Sequence, residues 1–344
     1  MPICDTTRSF HVLSLLSALL LGWVVAGPVT APAQSDASET AMIIHGGAGG
    51  MTQDQMSDEA KKTYRSALRA ALKEGNQVLQ NGGSALDAVE AAITTMESDT
   101  LFNAARGAVL TSQNTVELDA SIMDGQTRNA GALTGVKTVK HPIRLARTIM
   151  TESEHVFLAQ EGAETFAEQN DLEQVENDYF IIDSRRTSSG EGAALPSKNE
   201  TDKFGTVGAV ALDQNGNLAA GTSTGGISNK RFGRIGDSPM IGAGTYASNE
   251  SVAVSATGEG EFYIRSVAAH NVASRVRFGD APLQKAARAA VEEADELGGV
   301  GGLIVLDPDG NMAMPFTTTG MFRAYVTTDG TMNVRIFKNE GGDM

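Results

Sequence analysis

The residues best equipped for chemistry lie in the run Phe204-Gly205-Thr206-Val207-Gly208-Ala209-Val210-Ala211-Leu212, where a Gly-Thr pair opens a strand-like segment. Cutting the Gly205–Thr206 bond would make Thr206 a chain terminus that carries a hydroxyl and a free α-amine on adjacent carbons. An α-amine titrates at about 7.7 to 8.0, so near pH 7 a useful neutral fraction can take the proton from a nearby hydroxyl. In an uncut chain the same threonine is inert, and a Gly-Thr pair alone reads as an ordinary β-branched residue starting a strand.

Other chemistries are excluded or unsupported. Cys4 is the sole cysteine and precedes the apolar run of the N-terminal segment, so a chain processed after that run has neither a thiol nucleophile nor a disulfide. The five histidines form no metal-spaced cluster. The formal net charge of −15 disfavours nucleic acid and anionic membranes as partners, since both call for clustered Lys and Arg.

Residues 1–33 have the three parts of a secretory signal peptide: Arg8 near the start, an apolar stretch from Val12 to Ala26, and Ala31-Pro32-Ala33 as a small-x-small cleavage site. The apolar stretch is short for a bilayer span of about 20 residues. The expectation is a periplasmic or secreted protein with no membrane attachment after cleavage, and a single domain over residues 34–344.

The elements that must hold Thr206 follow from periodicity. Ala41 to Ile44 is a strand running into the glycine-rich turn His45-Gly46-Gly47-Ala48-Gly49-Gly50, which lacks the full spacing of a phosphate cradle. Ser57 to Gln80 and Ser84 to Met96 read as capped helices with buried stripes. From Gly107 to Val136 short strands alternate with turns, His141-Pro142 opens a helix, and another spans Ala159 to Glu168. Between Tyr179 and Lys203 periodicity gives way to a linker-like stretch that ends just before Gly205-Thr206. Thr206 to Leu212 and Asn217 to Thr222 form a hairpin around Asp213-Gln214-Asn215-Gly216. A strand at Ser251 to Ala256, helices at Phe262 to Phe278 and Pro282 to Leu297, a hairpin around Asp307-Pro308-Asp309-Gly310, and strands Arg323 to Thr327 and Met332 to Phe337 complete the chain. Hairpins flanked by paired helices imply antiparallel sheets covered by helical layers, an α+β architecture.

Several further motifs share this chain in a fixed order. They are Ile43-Ile44-His45-Gly46-Gly47-Ala48-Gly49, Glu117-Leu118-Asp119-Ala120 with Ile122-Met123-Asp124-Gly125, and the Gly205 to Leu212 run. Thr222-Ser223-Thr224-Gly225-Gly226, Gly233-Arg234-Ile235-Gly236-Asp237-Ser238-Pro239 and Ala256-Thr257-Gly258-Glu259-Gly260 follow. With them the sequence resembles the plant-type asparaginase and isoaspartyl peptidase family of N-terminal nucleophile hydrolases over nearly all of residues 43–316.

The resemblance implies a four-layer αββα sandwich made as a precursor that cuts itself into chains 34–205 and 206–344, assembled as a dimer of such αβ units. Gly205, without a Cβ, would let the backbone adopt the strained conformation in which the Thr206 hydroxyl attacks the preceding carbonyl. By the same resemblance Thr224 sits beside the nucleophile and orients its amine, while Arg234 and Asp237 hold the substrate's α-carboxylate and α-amine. That assignment suits a guanidinium that grips a carboxylate bidentately and a carboxylate that accepts from an ammonium. Thr257 and Gly258 match the oxyanion hole and also contact substrate, and Gly260 offers a main-chain carbonyl to the substrate amine.

The loop from Met96 to Gly107 aligns with a segment in which Asn103 braces the nucleophile and a structural sodium ion is held by main-chain carbonyls, here those of Met96, Glu97, Asp99, Phe102, Ala104 and Arg106. No other cofactor is implied. The chain departs from the family there, with Ala105 where glycine is usual and Arg106 where an apolar residue is common. Thr317-Thr318-Thr319 also replaces the more usual Asn-Thr-Glu at the pocket rim. The activity implied is hydrolysis of β-aspartyl bonds in asparagine or isoaspartyl dipeptides. The alternatives are a glycosylasparaginase, which Gly205 argues against because that branch carries Asp before the threonine, and an exported amino-acid-binding protein that uses Arg234 and Asp237 only as a clamp.

Overall fold

Alternation along the strands decides which residues reach the site. The computed structural model describes residues 40–183 and 205–340; the leader at 1–33 and nearly all of the linker-like stretch lie outside them. The first half contains strand β1 (Ala41–Gly49), helices α1 (Asp58–Gln80) and α2 (Ala85–Glu97), and strands β2 (Leu118–Asp124) and β3 (Ala130–Val136). Helix α3 (Pro142–Glu152), strand β4 (Phe157–Ala159) and helix α4 (Gln160–Gln169) follow. The second half contains β5 (Val207–Leu212), β6 (Leu218–Thr224), β7 (Thr245–Ala247), β8 (Ala253–Gly258), α5 (Gly260–Arg265), α6 (Ala268–Gly279), α7 (Leu283–Glu296), β9 (Gly301–Leu306), β10 (Met312–Ala313), β11 (Gly320–Val326) and β12 (Met332–Phe337).

These strands make an eight-stranded sheet in the order β12-β11-β1-β5-β6-β2-β3-β4 and a four-stranded sheet in the order β10-β9-β8-β7. Three hydrophobic clusters separate four layers. The first includes Leu68, Leu72, Val89, Ile93 and Ile143 from α1 to α3, packed on Ile44, Val207 and Ala209 of the large sheet. The second joins the two sheets through Ile43, Val210, Leu218, Ile304 and Leu306. The third lies between the small sheet and α6 and α7. The αββα sandwich implied by the sequence is therefore the fold.

On β5, Val207, Ala209 and Ala211 face the helices while Val210 and Leu212 face the other sheet. The period of two then turns Thr206 and Gly208 toward the inter-sheet layer. The same alternation turns His45 of β1, Thr222 and Thr224 of β6, and Ser255 and Thr257 of β8 into that layer. At one end the layer is a dry apolar core, and at the other it is polar. Ser223, on the opposite face of β6, donates to the buried carboxylate of Glu97 at 2.7 Å, which also accepts from the Ile143 N–H at 3.0 Å. That contact fastens the end of β6 to α2 and α3.

Three expectations from sequence are corrected. The glycine-rich run after Ile44 is not a turn: β1 continues to Gly49, with its register against β11 shifted between His45 and Gly47. A Cβ on Gly46 would lie 2.5 Å from the Phe102 ring, so the strand survives because its glycine leaves room for the loop after α2. Phe262 to Phe278 is not one helix. It breaks at Val267, which takes φ 48, directly after Ser266 turns its hydroxyl back onto the Phe262 carbonyl at 2.9 Å. The second arm of the hairpin after Asp307 is a strand only over Met312–Ala313, because Pro315 has no N–H to donate; pairing resumes in the same register where the Leu303 N–H donates to the Pro315 carbonyl at 3.0 Å and Gly302 bridges Phe316.

Candidate functional site

The bottom of the site is the paired ends of β5 and β6. Thr206 and Thr224 approach hydroxyl to hydroxyl at 2.9 Å, and the Gly226 N–H donates to Thr224 Oγ1 at 3.0 Å. Both threonines are buried, Thr206 being 9% exposed. They line a pocket of about 260 Å³, open mouth included, together with Gly226, Ile227, Arg234, Gly236, Asp237, Ser238 and Gly258. The geometry thus brings Thr206, its hydroxyl neighbour Thr224, the expected clamp pair Arg234 and Asp237, and Gly258 of the expected oxyanion hole to a single cavity. Asn103, Thr257 and Gly260 are not among its lining residues.

Asn103 stands behind Gly205. Its N–H donates to the Gly205 carbonyl at 3.1 Å, its amide donates to the Gly226 carbonyl at 2.7 Å, its side-chain oxygen accepts from the Val109 N–H at 2.9 Å, and its carbonyl accepts from the Gly225 N–H at 3.1 Å. One residue therefore ties together the chain before Thr206 and the loop after Thr224. A Cβ on Gly205 would lie 2.7 Å from the Asn103 Cβ, so close approach to this brace is a physical reason for the glycine, beside the backbone freedom expected from sequence.

The clamp residues carry opposite charges at one wall. Arg234 forms a two-pronged pair with Glu261 of α5, Nε at 2.8 Å and an Nη at 2.7 Å, so a carboxylate of the protein itself occupies the guanidinium fork. Asp237 is 4% exposed, and its Oδ2 is buried with no hydrogen-bond partner. Burial pushes its pKa up to about 6, against the pull of the Arg234 charge. An orphaned buried carboxylate oxygen is costly, and a cationic donor brought by a ligand would relieve it. Gly260 packs against it: a Cβ there would lie 2.7 Å from both the Asp237 amide nitrogen and its Oδ1.

Thr257, buried at 1% exposure, accepts from the Ala48 N–H of β1 at 3.3 Å, which leaves its hydroxyl proton free to be directed. Gly258 has φ 155, and a Cβ on it would lie 2.4 Å from the Val300 carbonyl. In the loop proposed for sodium, the Met96 carbonyl accepts from the Asp99 N–H at 3.2 Å and the Glu97 carbonyl from the Arg106 N–H at 3.0 Å. Ala105 takes φ 42, the left-handed conformation expected of a glycine, at a cost of about 1–2 kcal/mol. The loop has kept its turn despite the substitution.

Sequence reasoning missed two parts of the site. Glu261 gave no signal, because its pairing with Arg234 spans 27 residues. His45 was read as part of a glycine turn, yet its ring is fully buried and donates to the Thr206 carbonyl at 3.0 Å.

Comparison with known proteins adds the relatives. Residues 38–336 match the family model described as asparaginase. Isoaspartyl peptidase from Escherichia coli K12 is 45% identical over 310 residues, covering 87% of this chain and 97% of that protein. Isoaspartyl peptidase from Salmonella typhimurium is 45% identical over 314 residues, covering 88% and 99%. Isoaspartyl peptidase/L-asparaginase from Xenopus laevis is 36% identical over 301 residues, covering 87% and 96%.

Proposed function

We propose, because this chain belongs to the asparaginase family of N-terminal nucleophile hydrolases, that it hydrolyses β-aspartyl amide bonds in isoaspartyl dipeptides and in L-asparagine, with Thr206 as the nucleophile freed by self-cleavage. The observation that carries this reading is the hydroxyl pair of Thr206 and Thr224 at 2.9 Å, in a pocket that also presents Arg234 and the partnerless oxygen of Asp237.

In the self-cleavage step the Thr206 hydroxyl adds to the Gly205 carbonyl, whose oxygen already receives the Asn103 N–H. The C–N bond then breaks to leave an ester, and water opens the ester to a Gly205 carboxylate and a free Thr206 amine. In turnover that amine takes the hydroxyl proton while the oxygen adds to the β-carbonyl of the substrate. Negative charge on the former carbonyl oxygen is met by the Thr257 hydroxyl and the Gly258 N–H, and losing one such donor typically costs about 100-fold or more. The leaving amine departs with the proton held by the α-amine, and water hydrolyses the acyl ester. Arg234 would turn from Glu261 to the substrate carboxylate, and Asp237 would accept the substrate ammonium.

The same reading includes a sodium ion in the 96–106 loop, bracing Asn103, and a dimer of αβ units exported to the periplasm or medium. No helix among the described residues is long and apolar enough to cross a membrane. The test is release of aspartate from L-asparagine and β-aspartyl-leucine by the purified protein. Turnover of both that disappears in Thr206→Ala is expected, and turnover of neither by a protein shown to be cut before Thr206 would refute the substrate class.

A further inference from the structure

The polar end of the inter-sheet layer holds a run of buried groups for which the reaction above gives no role. His45 Nδ1 lies 3.0 Å from the Thr206 carbonyl and its Nε2 lies 2.9 Å from Ser255 Oγ. Ser255 Oγ is 2.7 Å from Thr222 Oγ1, which is 2.6 Å from Thr245 Oγ1. Thr245 is 2.8 Å from Ser121 Oγ, whose hydroxyl reaches the carbonyl of Ser238, the residue after Asp237, at 2.6 Å. All five hydroxyl and imidazole side chains from His45 to Ser121 are at 0% exposure.

Proton counting fixes the direction at the His45 end of this run. A carbonyl only accepts, so His45 must carry its proton on Nδ1, and Nε2 must accept from Ser255. Ser255 has then spent its single proton and can only accept from Thr222, while Ser121 gives its proton to the Ser238 carbonyl, so the one proton of Thr245 serves either Thr222 or Ser121. The ring is neutral throughout: burial lowers its pKa to about 3, against the opposing effect of the Thr206 carbonyl. Space has been cleared for the arrangement, because a Cβ on Gly208 would lie 2.0 Å from Ser255 Oγ and 2.3 Å from His45 Nε2. The glycine two residues after the nucleophile therefore exists for this contact.

We propose that His45 is a positioning residue for Thr206: the hydroxyl run Ser255-Thr222-Thr245 holds the ring in one tautomer, and its Nδ1–H fixes the Thr206 carbonyl and so the orientation of the nucleophile's hydroxyl and amine. This rests on Thr206 being the nucleophile. A free N-terminal residue has lost the chain that anchored it on one side, and its remaining peptide plane becomes the main restraint on where the hydroxyl and amine point. Misplacing a reacting group by about 1 Å can cost about 100-fold.

The experiment compares His45→Ala, His45→Asn, His45→Gln and Ser255→Ala in the full chain. It measures the fraction cut before Thr206 by intact mass, folding by circular dichroism, and kcat and KM per cut chain on β-aspartyl-leucine. The Asn amide nitrogen falls near the place of Nδ1, whereas the Gln amide reaches the place of Nε2. His45→Ala and His45→Gln are expected to lose about 100-fold in kcat with KM within threefold, since Arg234 and Asp237 are untouched. His45→Asn recovers to within about tenfold of the parent, and Ser255→Ala loses about tenfold in kcat alone. Equal kcat in the Asn, Gln and Ala variants, or a loss that falls on KM, would overturn the proposal. If the His45 variants do not fold, Ser255→Ala decides, and a parental kcat there overturns it. A failure of the nucleophile assignment would appear separately, as turnover that survives Thr206→Ala.

Discussion

Gly205→Ala perturbs the contact with Asn103 just before Thr206, the proposed nucleophile, by one methyl group. The added carbon would meet Asn103 Cβ at 2.7 Å, Asn103 N at 3.1 Å and Asn103 Cα at 3.5 Å, against ordinary carbon contacts of about 3.5–4.0 Å. Something must therefore move by about 1 Å. Asn103 is held by three hydrogen bonds that do not involve Gly205, to Gly225, Gly226 and Val109, each contributing about 0.5–1.5 kcal/mol net. Residue 205 is held to Asn103 by one, so residue 205 gives way. Its carbonyl then leaves the Asn103 N–H and shifts relative to the Thr206 hydroxyl. A displacement of that size corresponds to about a 100-fold slower cut, or about 3 kcal/mol of barrier. The assay is a time course of intact mass from freshly purified precursor, read as the ratio of uncut chain to the chain starting at Thr206. Enzyme that does mature after long incubation should show the parental kcat per cut chain, because residue 205 has no part in turnover. Cleavage at the parental rate would show that the Gly205–Asn103 contact does not set the cut, and a mature fraction with a large loss in kcat would show that residue 205 acts in turnover.

Other consequences concern protonation and the loop ion. Asp237, raised to about 6 by burial against the pull of Arg234, must be ionised to accept a substrate ammonium, while the α-amine must be neutral, so kcat/KM on asparagine should fall about tenfold per pH unit from about pH 7.7 to 6 and about a hundredfold per unit below pH 6. A slope that stays at tenfold per unit down to pH 4.5 would remove Asp237 from binding. His45 works in the other direction, on stability. Its folded pKa of about 3 lies below the unfolded value of about 6.5, so unfolding takes up a proton below pH 6.5 and stability falls toward pH 3 with a slope of up to about 1.4 kcal/mol per unit. In an uncut Thr206→Ala background, urea unfolding at pH 7, 5.5 and 4 should show that slope in the parent and a shallower one in His45→Asn; parallel slopes would contradict a buried neutral ring. Replacing sodium with a bulky organic cation at constant ionic strength should lower the Tm of the mature enzyme, since an ion bound only by the folded loop stabilises it by mass action. An unchanged Tm would remove the ion from the 96–106 loop.

Helices α1 and α2 were legible because their signals are local. Ser57 and Ser84 cap α1 and α2 through the amides of Ala60 and Asp87, and Leu68, Leu72, Val89 and Ile93 repeat at the helical period. The hairpin β5–β6 was legible from its alternation and from the turn at Asp213, whose carboxylate accepts from the Asn215 and Asn217 amides. Thr206, Thr224, Arg234, Asp237 and Gly258 were named from motifs, and they share one pocket. What escaped at the site depends on partners far away in sequence. Gly46 keeps β1 going by yielding space to Phe102, 56 positions on, and Gly208 yields space to Ser255 and His45. No window of local periodicity contains such pairs. Ala105 is the opposite case: its φ of 42 matches what the missing glycine implied, because the buried loop dictates the backbone conformation over the preference of the residue.

On the proposed reading, Thr206 becomes a chain terminus and acts from there. The most direct measurement is the intact mass of the purified protein and of Thr206→Ala, before and after incubation at neutral pH. Two chains divided between Gly205 and Thr206 are expected for the parent and one persistent chain for the variant. A parent that stays a single chain while hydrolysing asparagine would contradict that reading.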